Sequence, residues 1–118
     1  LMLAWLRVRP GERVLDAAAS AGLYARTLLK YQPRLAVHAL DFSRAFLERA
    51  KSYAERDGVN PTFVLADVRR LPYRDAVFDA LVCGGSLNEF TDPSRTLSEF
   101  ARVLKPGGRM WGMYLTRA

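Results

Sequence analysis

Strand-like and helix-like segments alternate along the 118 residues, and that alternation predicts an α/β fold with a doubly wound, mainly parallel sheet. Short apolar runs rich in β-formers are each followed by a stretch whose apolar residues recur at helical spacing. Gly and Pro mark the boundaries between them. Strands joined by helical crossovers run parallel, and right-handed crossovers leave few topologies open. Three of the strand ends carry an acid, Asp16, Asp41 and Asp67. In such sheets the carboxyl ends of the strands are where a ligand sits.

The first strand, residues 12–17, is a short apolar run after the Pro10-Gly11 turn. A helix over 21–31 sets Ala21, Ala25, Leu28 and Leu29 on one face, and Pro33 stops it by disfavouring helical backbone at Gln32. Residues 36–40 form the second strand, ended by Asp41. Ser43 then caps a helix over 44–56. Its stripe is Leu47, Ala50 and Ala54, and Gly58 closes it. The third strand, 62–66, leads through a link containing Pro72 and Asp75 to a fourth at 78–83. Asp92 caps the next helix with Pro93 at its first position, where the missing N–H costs nothing. Leu97, Phe100, Ala101 and Leu104 are its expected buried stripe, and Pro106-Gly107-Gly108 ends it before a fifth strand at 109–115.

Length and the absence of any repeat or linker predict one domain. Half of the residues are hydrophobic and a quarter charged, as in a folded globular domain. Apolar stretches such as 80–83 are too short to span a bilayer. The apolar opening 1–6 is followed by Arg7 and Arg9 with no small-residue cleavage site, so no signal peptide is expected. The net charge is +6, but the 18 basic residues, 15 of them Arg, are scattered singly except at Arg69-Arg70. Nucleic-acid binders gather such charge on one face, so no nucleic-acid partner is expected. Cys83 is the single cysteine, which excludes an internal disulfide and a thiolate metal site and fits a reducing, cytoplasmic setting.

The loop Ala17-Ala18-Ala19-Ser20-Ala21-Gly22 follows Asp16. Small side chains there let the backbone approach a ligand, with helix N–H groups facing a carboxylate. Asp41 lies 25 residues after Asp16, at the end of strand two, where an acid accepts the hydroxyls of a ribose in dinucleotide folds. Asp67, the third acid, is able to accept from an adenine amino group. A tight turn, a helix cap and a solvated turn acid are the respective purely structural alternatives for these three sites. His38 reads as a sheet histidine, and Cys83 as a small apolar residue.

Taken together, these segments resemble the class I (Rossmann-like) S-adenosylmethionine-dependent methyltransferases, from about Val8 to Leu115. Val14-Leu15-Asp16 with its small-residue loop is similar to that family's first motif. Leu40-Asp41-Phe42-Ser43 resembles its ribose-binding acidic loop. Ala66-Asp67-Val68, Leu71-Pro72-Tyr73 and Val77-Phe78-Asp79 resemble its adenine segment and the entry to strand four. Arg102-Val103-Leu104-Lys105-Pro106-Gly107-Gly108 resembles its corner into strand five. The resemblance implies S-adenosyl-L-methionine as cofactor and S-adenosyl-L-homocysteine as product. It assigns Asp16 and Gly22 to the methionine end, Asp41 to ribose, and Phe42 to the adenine face. Asp67 and the N–H of Val68 go to the base edge, and the Cys83 and Gly84 carbonyls to the cofactor amino group. The family's loop has a Gly-x-Gly-x-Gly character, whereas Ala18 and Ser20 hold its first two positions here. A positive φ at Ser20 would cost on the order of 1 kcal/mol.

Ser86, Asn88 and Glu89 follow strand four and are the candidate acceptor-facing residues, with no general base named. The Asp/Asn-Pro-Pro-aromatic motif of base-methylating relatives is absent, since strand four ends Cys83-Gly84-Gly85-Ser86. By analogy with the family's small-molecule members, a small organic or lipid-like acceptor is the expected partner. The chain is read as truncated at both ends, with an exposed strand-five edge available for self-association. Two rivals remain at this point. One is a non-catalytic binding or assembly module of the same fold. The other is an NAD(P)-binding dehydrogenase domain, which would want Gly-x-Gly-x-x-Gly near 17–22, where Gly22 is the one glycine.

Overall fold

A computed structural model of the chain describes residues 1–86 and 90–113. In chain order they form α1 (Met2–Leu6), β1 (Arg13–Ala17), α2 (Leu23–Tyr31), β2 (Ala36–Asp41), α3 (Arg44–Asp57), β3 (Thr62–Leu65), β4 (Phe78–Ser86), α4 (Pro93–Val103) and β5 (Leu104–Met113). The strands make one sheet in the order β3-β2-β1-β4-β5, and every described pairing is parallel. The expected fold class is the observed one. The chain starts in the middle of the sheet, winds outward to β3, then returns to place β4 on the other side of β1. The order therefore reverses between β1 and β4, where a crevice opens at the carboxyl ends.

Alternation along the strands divides the core in two. Val14, Ala80 and Val82 face one side, packed with Leu6, Ala25 and Leu28 of α1 and α2. Leu15, Leu81 and Cys83 face the other, packed with Phe100 and Val103 of α4. Helix α3 lies beside α2 against β2 and β3. Asp57 joins these two helices by accepting ion pairs from Arg26 at 3.3 Å and Lys30 at 2.8 Å.

Capping follows the sequence closely. The Ser43 hydroxyl accepts from Phe46 N, Asp92 accepts from Arg95 N, and Gly58 closes α3 in the left-handed region. Several features differ from expectation. Helix α2 starts at Leu23, which leaves Ala21 in the preceding turn, and β4 runs on to Ser86. Helix α1 was not foreseen; its Trp5 indole N–H donates to the Met110 carbonyl on edge strand β5 at 2.9 Å. Helix α4 buries Thr96, Phe100 and Val103, while Leu97 and Ala101 are exposed. Both sets are spaced i, i+4, i+7, and the side is decided by where Phe100 finds β4. Lastly, β5 begins at Leu104 and runs through Pro106-Gly107-Gly108. Phe78 pairs with Leu104 and Ala80 with Arg109, so the extra residues are absorbed as a bulge.

The link from β3 to β4 is carried by side-chain bonds. Arg102 of α4 donates Nη2 to the Leu71 carbonyl at 3.1 Å and Nη1 to the Tyr73 carbonyl at 2.8 Å. It also pairs with Glu99 at 2.6 Å and Asp75 at 3.0 Å. Inside the sheet, His38 Nδ1 lies 3.0 Å from the Tyr73 hydroxyl, and burial lowers the imidazole's affinity for a proton. It is a packed sheet histidine. Among the described residues, no helix is long and apolar enough to cross a membrane.

Candidate functional site

The loop between β1 and α2 has an unusual backbone. Ala18, Ser20 and Gly22 stand at φ of 56°, 51° and 81°, so every second residue is left-handed. Only glycine adopts this region freely, and Ala or Ser there costs about 1–2 kcal/mol each. The strain anticipated at Ser20 is present, and Ala18 shares it. Backbone bonds over-determine the shape: Ala19 N donates to the Leu40 carbonyl and Gly22 N to the Ala19 carbonyl, both at 2.8 Å. Ser20 N donates to Asp41 Oδ2 at 2.9 Å.

Beneath this loop Asp16 is fully buried. Its Oδ2 accepts from Ala25 N at 3.1 Å, while Oδ1 has no partner among the described residues. Burial pushes this carboxyl up to about 8; the Ala25 N–H works against that rise, and the nearby Asp41 charge adds to it.

Asp41 ends β2. Its two oxygens each take one backbone donor, Oδ2 from Ser20 and Oδ1 from Ser43, both at 2.9 Å. The ring of Phe42 beside it is 81% exposed, and Phe46, one helical turn on, is also exposed. Large bare aromatics on a small domain call for a partner or ligand. Asp67 follows β3 and forks onto Arg69, with Oδ2 accepting from Nη2 at 2.7 Å. That guanidinium, together with the Arg69 backbone N–H, holds the Asp67 carboxyl below its ordinary value.

These loops enclose a cleft of about 430 Å³ at the carboxyl ends of the strands, within the ordinary range for small-molecule sites. Of the residues singled out from sequence, Ala18, Ser20, Asp41, Phe42, Asp67 and Val68 line it. Asp16, Gly22, Cys83 and Gly84 are not among its lining. Cys83 is buried opposite Ala17 in the β1–β4 register, and the Gly84 α-carbon lies against the Tyr24 ring. Asn88 and Glu89 lie outside the described residues, and Ser86 is described only as backbone at the end of β4, paired with Met113. Ala66, quoted from sequence in the adenine segment, also lines the cleft, as do Phe46, Arg69, Phe90 and Thr91, which the sequence reading missed. Phe46 had a signal, because it is an aromatic in the first turn of α3, directly after the acidic loop that carries Asp41 and Phe42.

The sequence profile described as "Methyltransferase domain" matches residues 15–112, most of the chain. A demethylmenaquinone methyltransferase from Deinococcus radiodurans is 38% identical over 98 residues, covering 83% of this chain and 41% of that protein. A 2-phytyl-1,4-naphtoquinone methyltransferase from Trichormus variabilis is 35% identical over 112 residues, covering 92% of this chain and 49% of that protein. The crystal structure of the [4+2]-cyclase SpnF superposes with a TM-score of 0.83 at 30% identity, over 90% of this chain and 39% of that one. The chain thus spans less than half the length of these relatives. With the profile match, the parallel sheet and the cleft agreeing, the chain belongs to the class I S-adenosylmethionine-dependent methyltransferase family.

Proposed function

We propose that this domain holds S-adenosyl-L-methionine in the cleft and that the protein containing it methylates a small, quinone-like lipid acceptor. The observation that carries this reading is the convergence of Asp41 and Asp67, from two different strand ends, on one cleft. The residues fit the cofactor. Each Asp41 oxygen carries one N–H and retains a lone pair for a ribose hydroxyl. Phe42 and Phe46 supply bare apolar surface for adenine, and Val68 a position at the base edge. The left-handed Ala18, Ser20 and Gly22 bring backbone close to the methionine end. Cys83 and Gly84, in β4 beside the end of β1, would offer carbonyls to its amino group, above the buried Asp16.

Bound there, the cofactor supplies an electrophilic methyl on a cationic sulfur. The chain's own share is then to bind, align and exclude water, which contributes several kcal/mol without a catalytic side chain. A base is needed only if the acceptor must first lose a proton, and Ser86, Asn88 and Glu89 remain the positions proposed for contact with the acceptor. The quinone class is taken from the printed names of the two relatives above. A cytoplasmic setting and the β5 edge as a self-association surface belong to the same proposal.

Calorimetry with S-adenosylhomocysteine and NAD on one preparation tests the reading. Micromolar binding of the first, none of the second, and loss on Asp41→Ala are expected; a chain indifferent to both overturns it. Because a [4+2]-cyclase shares this fold, a second reading is cofactor binding without methyl transfer. Release of S-adenosylhomocysteine only when a quinol acceptor is added decides for transfer.

A further inference from the structure

Asp67 is held by Arg69. Its Oδ1 accepts from Arg69 N at 2.8 Å and Arg69 Nε at 3.2 Å, and its Oδ2 from Nε at 3.1 Å and Nη2 at 2.7 Å. Those four contacts come from three N–H groups, because Nε–H is shared between the two oxygens, so Arg69 engages both oxygens of the carboxylate. An adenine amine, itself a donor, must compete with the guanidinium for Asp67. The main chain need not move to free an acceptor. Arg70 N donates to the Asp67 carbonyl and Arg95 Nε to the Arg69 carbonyl, both at 3.0 Å, so the turn is pinned while the Arg69 side chain remains about half exposed.

A second carboxylate waits nearby. Asp92, the cap of α4, lines an adjoining hollow of about 320 Å³ with Asp67, Arg69, Arg70 and Arg95. Only its Oδ1 has a described partner, Arg95 N at 3.2 Å, and its charge acts on Arg69.

We propose that Arg69 is a displaceable occupant of the adenine-amine position, handed from Asp67 to Asp92 when the base enters, and that it thereby dampens the preference for adenine that Asp67 gives the cleft. This rests on the reading of the cleft as the S-adenosylmethionine site. An entering adenine exchanges its amine for the guanidinium. A base with a carbonyl in that position has no amine to give Asp67 and leaves the pair undisturbed. Arg69 acts through Asp67 and is a specificity residue, not a catalytic one.

Calorimetry on the chain with S-adenosylhomocysteine and S-inosylhomocysteine, at low salt and at 0.5 M salt, decides the matter. Exposed ion pairs are weak, so Arg69→Ala should tighten S-adenosylhomocysteine about two- to fivefold at low salt. The gap should close at high salt, where the wild-type pair is already screened. S-Inosylhomocysteine should show no gain. Asp92→Asn, which keeps the helix cap, should weaken S-adenosylhomocysteine in the wild-type background and change nothing beside Arg69→Ala. Wild-type binding that Arg69→Ala fails to tighten overturns the proposal and spares the cofactor site, as does an equal gain for both nucleosides. Wild-type protein that binds neither nucleoside removes the cofactor reading and this proposal together.

Discussion

The backbone N–H of Ser20 donates to the carboxylate of Asp41 across two loops, at 2.9 Å. The acid placed to meet a ribose is thus the acid that holds the strained loop in shape. Asp41→Ala should therefore lower folding stability by about 1–3 kcal/mol in addition to abolishing nucleoside binding, since two backbone donors lose their acceptor. Urea unfolding without ligand measures the first effect separately from the second.

Glycine normally destabilises a loop by widening the unfolded ensemble. At Ser20 the sign should reverse, because φ is 51° and the side chain is exposed. Relief of about 1–2 kcal/mol of left-handed strain exceeds a glycine cost of about 0.5–1 kcal/mol. Ser20→Gly is expected to be neutral to about 1 kcal/mol stabilising, and Ser20→Val destabilising by more than the same amount. The urea midpoints of the two variants check this.

Asp16 should impose a pH slope on stability. Its folded-state proton affinity lies near 8, raised by burial above the usual carboxylate value of 3.8. Between those values the unfolded chain releases a proton that the folded chain keeps, so this stability is lost as pH rises from about 4 to 8. The slope is at most about 1.4 kcal/mol per pH unit. Asp16→Asn should flatten the profile and exceed the wild type in stability near pH 8. Denaturant titrations at four pH values between 5 and 8 measure both curves.

A methyl group on Gly84 would lie 2.2 Å from Cε2 of Tyr24, whose ring also packs edge-on against Trp111 at 5.4 Å. Gly84→Ala should cost about 1–3 kcal/mol through overpacking. Beside Tyr24→Ala the same change should be close to neutral, and thermal unfolding of the four proteins closes that cycle.

Much of the fold was legible because strand ends and helix caps are local chemistry: Ser43, Gly58, Asp92 and Pro93 each declare themselves within a few residues. What periodicity could not supply was phase. Leu97-Ala101-Leu104 and Thr96-Phe100-Val103 have equal spacing, and only contact with the sheet chooses between them. Pro106-Gly107-Gly108 read as a stop because local turn chemistry does not reveal a strand paired on both sides of it. At the site, Asp41, Phe42 and Asp67 were visible as residues at strand ends. The engagement of Arg69 with Asp67, and the seclusion of Asp16 beneath the loop, depend on side-chain conformation and depth, which no spacing encodes.

One guanidinium clasps the stretch from β3 to β4, as Arg102 spends all five of its N–H groups on Leu71, Tyr73, Asp75 and Glu99. A guanidinium does not deprotonate in a protein, so no alkaline condition the cell meets can release this clasp. Acid reaches three of the five bonds, those to Glu99 and Asp75, but the other two end on carbonyls that have no proton to gain. The rim of the cleft that carries Asp67 is thereby moored by a fastening that acidity slackens and cannot undo.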